Sequence, residues 1–175
     1  MNGLSALSVS IGLIAGLATF LAVGPLAGLF FIWAATISWA AYFALGADMT
    51  AAKNIVVCSI FGTVVATFAA YEIATISPDN MLGFPIMAAL IVTITVIAMC
   101  LAANIPALAT IPATVLGYSA TFAYLLQTPG KLSTDVLLGA SWDNPIFVIS
   151  FSLAFGVGLG IASAKFAAKI TTIAE

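Results

Sequence analysis

Residues 80–130 read NMLGFPIMAALIVTITVIAMCLAANIPALATIPATVLGYSATFAYLLQTPG, without one charged side chain. A helix needs roughly 20 apolar residues to cross the hydrocarbon core of a bilayer, so this run holds two crossings. Asn104-Ile105-Pro106 marks the turn between them. Proline suits the first turn of a helix, where its missing N–H would have had no intrahelical partner. The apolar residues run continuously instead of alternating, which rejects the strands of a membrane β-barrel. Residues 1–47 have the same organisation, uncharged up to Asp48 and broken at Gly24-Pro25.

The rest of the chain agrees. Of its 175 residues, 63% are apolar and 6% charged, against about 25% charged in an average soluble domain. Four lysines, six acidic residues and no His are present. A nucleic-acid binder, which needs a basic stripe against phosphates, is excluded. So are His-ligated metals and triads built on an imidazole base. Cys58 and Cys100 lie in apolar runs and read as small core residues. Asp135 and Asp143 offer too few oxygens for a metal cage, so no metal, no cofactor and no enzyme activity is expected.

These features specify an all-α integral membrane protein, a single transmembrane domain over residues 1–175. Its six expected transmembrane helices cover about 4–23, 26–46, 52–75, 84–103, 106–126 and 145–168, by the roughly 20-residue rule. Met1-Asn2-Gly3-Leu4 lacks the basic start of a signal peptide. Counting lysines in loops puts both termini in the cytoplasm, with Lys53, Lys165 and Lys169 inside and Lys131 outside.

Three spans followed by three suggest two inverted three-helix repeats. An offset of 81 aligns Pro25 with Pro106, Ser38 with Ser119 and Phe43 with Tyr124, while an offset of 94 aligns Phe61-Gly62 with Phe155-Gly156. Repeats with an odd number of spans sit in opposite orientations and commonly hold a solute path between them. The rival reading is that apolar helices resemble one another by composition alone.

Small residues four apart allow helices to approach closely in lipid. Gly12 and Gly16 in the first span, Gly62 in the third, and Gly156 and Gly160 in the sixth are the expected packing positions. The second and fifth spans are different in character. Trp33, Trp39 and Tyr42 give the second an aromatic surface, and Thr110, Thr114 and Tyr118 are spaced to share one face of the fifth. Hydroxyls opposite aromatic planes suit a path for a small neutral polar solute. Pro112, read as lying inside the fifth helix, would free the carbonyl of Leu108. Against this, Thr and Ser often bond back to their own helix, and Trp and Tyr anchor helices at the membrane interface. Glu72, near the outer end of the third span, reads either as a gate or vestibule or as an interfacial charge.

The run Phe31-Ile32-Trp33-Ala34-Ala35-Thr36-Ile37-Ser38-Trp39-Ala40-Ala41-Tyr42-Phe43-Ala44-Leu45-Gly46 resembles the YcdZ-like family of uncharacterised bacterial inner-membrane proteins. Ile105-Pro106-Ala107-Leu108-Ala109-Thr110-Ile111-Pro112-Ala113 is similar to that family's fifth span. The resemblance implies a bacterial inner (plasma) membrane location and no known activity. A fainter analogy links the second run to the Leu-Pro-x-x-Thr-x-Pro signature of urea transporters. Here Pro106 to Thr110 is one residue longer and Ile105 replaces the leucine.

The expected function is a homo-oligomeric channel or facilitator for a neutral solute such as urea, an amide or ammonia. The alternative is a structural or accessory subunit of a membrane complex. Membrane lipid, further copies of the chain and the solute are the expected partners, and nucleic acid is not.

Overall fold

The computed structural model describes residues 1–77 and 79–171; Pro78 and the last charge, Glu175, lie outside the described residues. Seven α-helices occur among them: α1 (Gly3–Val23), α2 (Ile32–Ala44), α3 (Met49–Ala74), α4 (Phe84–Leu101), α5 (Ile111–Gln127), α6 (Thr134–Leu138) and α7 (Pro145–Ile170). Two 3-10 turns, Ala102–Asn104 and Pro106–Leu108, separate α4 from α5, and the described residues contain no strand. Local chemistry starts the helices where expected. Asn2, Asp48, Ser133 and Asn144 cap α1, α3, α6 and α7 through their side chains, each satisfying an amide that has no partner within its helix. Prolines occupy the first turns of α4, α5 and α7.

Four helices, α1, α3, α7 and the α4 segment Phe84–Asn104, are long and apolar enough to cross a membrane. The other two expected spans are shorter than the sequence suggested. Instead of beginning at residue 26, α2 begins at Ile32 and has 13 residues. Gly24-Pro25 stops α1, Gly28 turns the chain at a φ of 83°, and short backbone bonds such as Leu29 N–H to the Leu26 carbonyl (3.0 Å) fill the gap.

The fifth helix begins at Ile111 instead of 106, so Pro112 stands in its first turn and not in its interior. The Leu108 carbonyl therefore belongs to the preceding 3-10 turn, not to a helix opened by proline. The physical reasons differ. In α5 a proline at 112 with several residues of helix before it would remove a ladder bond and clash with a carbonyl four residues back, so the chain turns and restarts. Before α2 it is the left-handed Gly28 that interrupts the helix.

Packing places α3 along α5 and α2 along α7, with α3 and α7 also in contact, α1 against α7 and α4 against α3. The tightest approaches are at glycine. A Cβ on Gly62 (α3) would lie 2.0 Å from the Thr114 carbonyl oxygen, and one on Gly117 (α5) 1.9 Å from that of Ser59. On the other side, a Cβ on Gly156 (α7) would lie 1.9 Å from the Ala35 oxygen, while Gly160 faces the Tyr42 ring. Gly12 and Gly16 make no helix crossing within the chain, since open space surrounds both. The face of α1 that packs carries Ala6, Ser10 and Ala18 instead, with Ser10 Oγ donating to the Ser163 carbonyl at 2.7 Å.

Candidate functional site

Serines and threonines dominate the buried polar side chains, and Asn144 joins them; no charged side chain is buried among the described residues. Burying an ion costs far more than burying a hydroxyl that finds a partner, and most of these hydroxyls find one locally. Thr63, Thr67 and Thr121 donate to the carbonyls of Ser59, Thr63 and Gly117, each four residues earlier on its own helix. Ser38 Oγ lies 2.7 Å from the Leu153 carbonyl, so it links α2 to α7.

The expected path residues separate into different environments. Trp33 is 63% exposed on the outer face of α2. Trp39 is buried, with Nε1 donating to Ser163 Oγ at 2.9 Å. Tyr42 is buried and donates its hydroxyl to the Ala47 carbonyl at 2.6 Å. Thr110 precedes α5 at its N-cap position. Thr114 is 1% exposed, and its hydroxyl has no partner among the described residues. Tyr118 turns toward α4, its hydroxyl 2.9 Å from Thr95 Oγ1.

Thr114 and Tyr118 thus lie at the α3 crossing, not opposite Trp39 and Tyr42. The groove that does separate α2 from α5, about 700 Å³, is apolar and lined by Ile37, Ala41, Ile111, Pro112 and Val115, among others. Glu72 borders a separate groove of about 220 Å³ between α3 and α4, beside Phe68, Ile91 and Thr95. It has no ion-pair partner among the described residues.

A mixed polar and aromatic pocket appears where the expected second, fifth and sixth spans meet the loop before the last of them. It holds about 240 Å³ between the turn before α2, the end of α5 and the start of α7. Gly28, Phe30 and Phe31 come from the turn, Tyr124 and Thr128 from the end of α5, and Lys131 and Asp143 from the loop. Lys131 Nζ lies 2.7 Å from Asp143 Oδ1, and the Asp143 hydrogen bond is the main cause holding the Lys131 ammonium above its ordinary range. Tyr124 donates to the Asp143 carbonyl at 3.0 Å and meets Phe31 edge-on at 5.7 Å.

The pocket's frame is tied down from several sides. Phe31 N–H donates to Ser152 Oγ at 2.8 Å, and Trp142 Nε1 donates to the Leu29 carbonyl at 2.9 Å. Asn144 Nδ2 bonds both the Leu137 and Gly139 carbonyls, at 3.0 and 2.8 Å. An aromatic row of Trp142, Phe151, Phe155 and Phe30 runs beside it. The opposed charges of Lys131 and Asp143, the turn residues Gly24-Pro25 and Trp142 were the available signals in the sequence. Only the fold brings them together. No group of three or more metal-ligating side chains occurs among the described residues.

Long apolar helices, glycine-mediated crossings and an interior polar through hydroxyls define a multi-pass α-helical membrane protein. Within that class, the chain belongs to the protein family of unknown function DUF1097, whose model matches residues 8–168. No curated protein and no solved structure matches the chain.

Proposed function

We propose that the protein is a channel or facilitator for a small neutral polar solute, acting as a homo-oligomer in the bacterial inner membrane. The observation that carries this reading is the pair of short helices, each led by an irregular proline-bearing segment. Such interrupted helices, at corresponding places in two halves, point to a solute site in inverted-repeat transporters. Here α2 and α5, together with Gly24–Phe31 and the 3-10 turns, complete the third pair of six crossings. Both termini then lie on the cytoplasmic side with Lys53, Lys165 and Lys169.

The contacts support a relation between the halves. Each short helix packs on the last long helix of the other half, α2 on α7 and α5 on α3. Gly62 and Gly156, which the 94-residue offset aligns, meet the backbones of Thr114 and Ala35 respectively. The side-chain bonds differ between the halves, since Trp39 reaches Ser163 on α7 of the other half and Tyr118 reaches Thr95 on α4 of its own half. By packing, Ala35 corresponds to Thr114 and Trp39 to Tyr118, two residues away from the 81-residue offset. The absence of buried charge among the described residues favours a neutral solute over an ion.

The test is stopped-flow light scattering of proteoliposomes exposed to gradients of urea, acetamide or ammonia. Faster equilibration of at least one solute than in protein-free vesicles is expected. Rates equal to those of empty vesicles for all of them overturn the reading.

A second reading, an accessory subunit, is favoured by the uncovered glycines Gly12 and Gly16 and by the size of the exposed apolar groove. It predicts that purification in mild detergent retains a different membrane protein, identified by mass spectrometry. Recovery of this chain alone counts against it.

A further inference from the structure

We infer that the pocket between Gly28, Tyr124, Lys131 and Asp143 is a binding site for a small carboxamide. This rests on the facilitator reading and deepens it by assigning both a place and a solute chemistry. The ion pair has no net charge, so a free cation or anion gains from one partner what it loses to the other. A molecule carrying a carbonyl acceptor and N–H donors can use both at once.

Lys131 Nζ carries three N–H donors and no acceptor, and the Asp143 carboxylate accepts only. Nζ lies 2.7 Å from one carboxylate oxygen, Oδ1, and also interacts with the Tyr124 hydroxyl, which leaves a donor on Lys131 and acceptor capacity on Asp143. Charge-assisted hydrogen bonds of this kind are roughly twice as strong as neutral ones.

The walls fit the same class of ligand. Phe30, Phe31 and Tyr124 contribute ring surfaces, against which a flat amide can lie. Gly28 holds a φ of 83°, a conformation that strains any residue with a Cβ, and a Cβ there would meet open space. The backbone at Gly28, which lines the pocket, is therefore uncovered by any side chain of its own. A volume of about 240 Å³ exceeds a water's share of roughly 30 Å³ severalfold, which suits a solute of a few heavy atoms. The Asp143 side chain, 57% exposed, keeps the site reachable from water.

Saturation-transfer NMR on the full chain in detergent micelles tests the assignment, with acetamide as the probe. Acetamide is expected to bind, and N,N-dimethylacetamide, which lacks N–H donors, at least tenfold more weakly. Asp143→Asn is expected to weaken acetamide at least tenfold, and Tyr124→Phe about twofold or less because the ring remains. Equal binding of the two amides overturns the inference on the native protein, whether or not any variant folds. Acetamide binding unchanged in Asp143→Asn also overturns it.

The same preparations in proteoliposomes separate the two readings. Amide binding of the expected pattern without flux sustains the site and removes the facilitator. Flux with no requirement for N–H donors or Asp143 sustains the facilitator and removes the site.

Discussion

Gly62 and Thr114 bring α3 and α5 so close that a single methyl on Gly62 would fall 2.0 Å from the Thr114 carbonyl oxygen. That oxygen belongs to a helix backbone and cannot rotate away. Gly62→Ala, Gly117→Ala and Gly156→Ala are each expected to destabilise the protein by about 1–3 kcal/mol, the usual range for overpacking. Gly12→Ala, in open space, is expected to change nothing or to add slight helix stability. Thermal unfolding in detergent, followed by circular dichroism, separates these outcomes. A Gly62→Ala protein as stable as the Gly12→Ala protein would show that the crossing relaxes freely.

Ser152→Ala leaves the Phe31 N–H without its partner. An unsatisfied buried backbone donor costs about 1–3 kcal/mol, so the loss should be felt at the start of α2. Hydrogen exchange is expected to accelerate across residues 24–34 and to stay unchanged in α4. Trp142→Phe, which removes the bond to the Leu29 carbonyl, should accelerate the same segment less, because Trp142 sits nearer water.

The Tyr118–Thr95 hydroxyl pair ties α5 to α4. Tyr118→Phe and Thr95→Val are each expected to cost about 0.6–1.5 kcal/mol, the range for hydrogen bonds between membrane helices. The double variant should cost about as much as either single one. Additive losses in a double-mutant cycle would mean that the two hydroxyls act independently.

Lys131 supplies the pH dependence. Its pKa is raised in the folded protein above the ordinary 10.5, so its contribution is present in full below 10.5 and is lost as pH rises through the higher folded value. The pair is partly exposed, at 22% and 57%, so the contribution is about 1 kcal/mol or less. The difference in unfolding midpoint between wild type and Lys131→Met should therefore be constant from pH 6 to 9 and shrink only as the pH rises above 10.5. A difference that grows with pH contradicts the assignment.

Thr114→Val removes a buried hydroxyl with no partner among the described residues. Deleting an unsatisfied polar group is expected to be neutral or stabilising. A loss of solute flux without a loss of stability would place Thr114 on the solute's route.

Much of the fold can be read from the sequence because lipid imposes simple rules. The bounds of α1, α4 and α7 follow from uncharged runs and caps, within one or two residues of 4–23, 84–103 and 145–168. The starts of α2 and α5 were misread because hydropathy measures apolar length, and the residues of Gly24–Phe31 and Pro106–Thr110 are as apolar as a helix. Only proline and glycine chemistry distinguishes them. Gly117, a close-packing glycine as tight as Gly62, was hidden among the hydroxyls of the fifth span. The packing face of α1 was displaced by two positions because Ala and Ser serve there as well as Gly. The pocket at Lys131 and Asp143 could not be read at all, since its walls come from three separated segments.

The bond between Phe31 and Ser152 joins residues 121 positions apart, and it sets an order of assembly. A helix of 13 residues is about 20 Å long at 1.5 Å per residue, too short to cross a bilayer core of about 30 Å by itself. When α2 leaves the ribosome, neither its docking face on α7 nor the oxygen that receives its first amide has yet been synthesised. The first half of the protein must wait in the membrane, incompletely bonded, until α7 arrives. The last long helix thus completes the first short one, and a nascent chain halted before residue 145 would lack the main surface on which α2 docks.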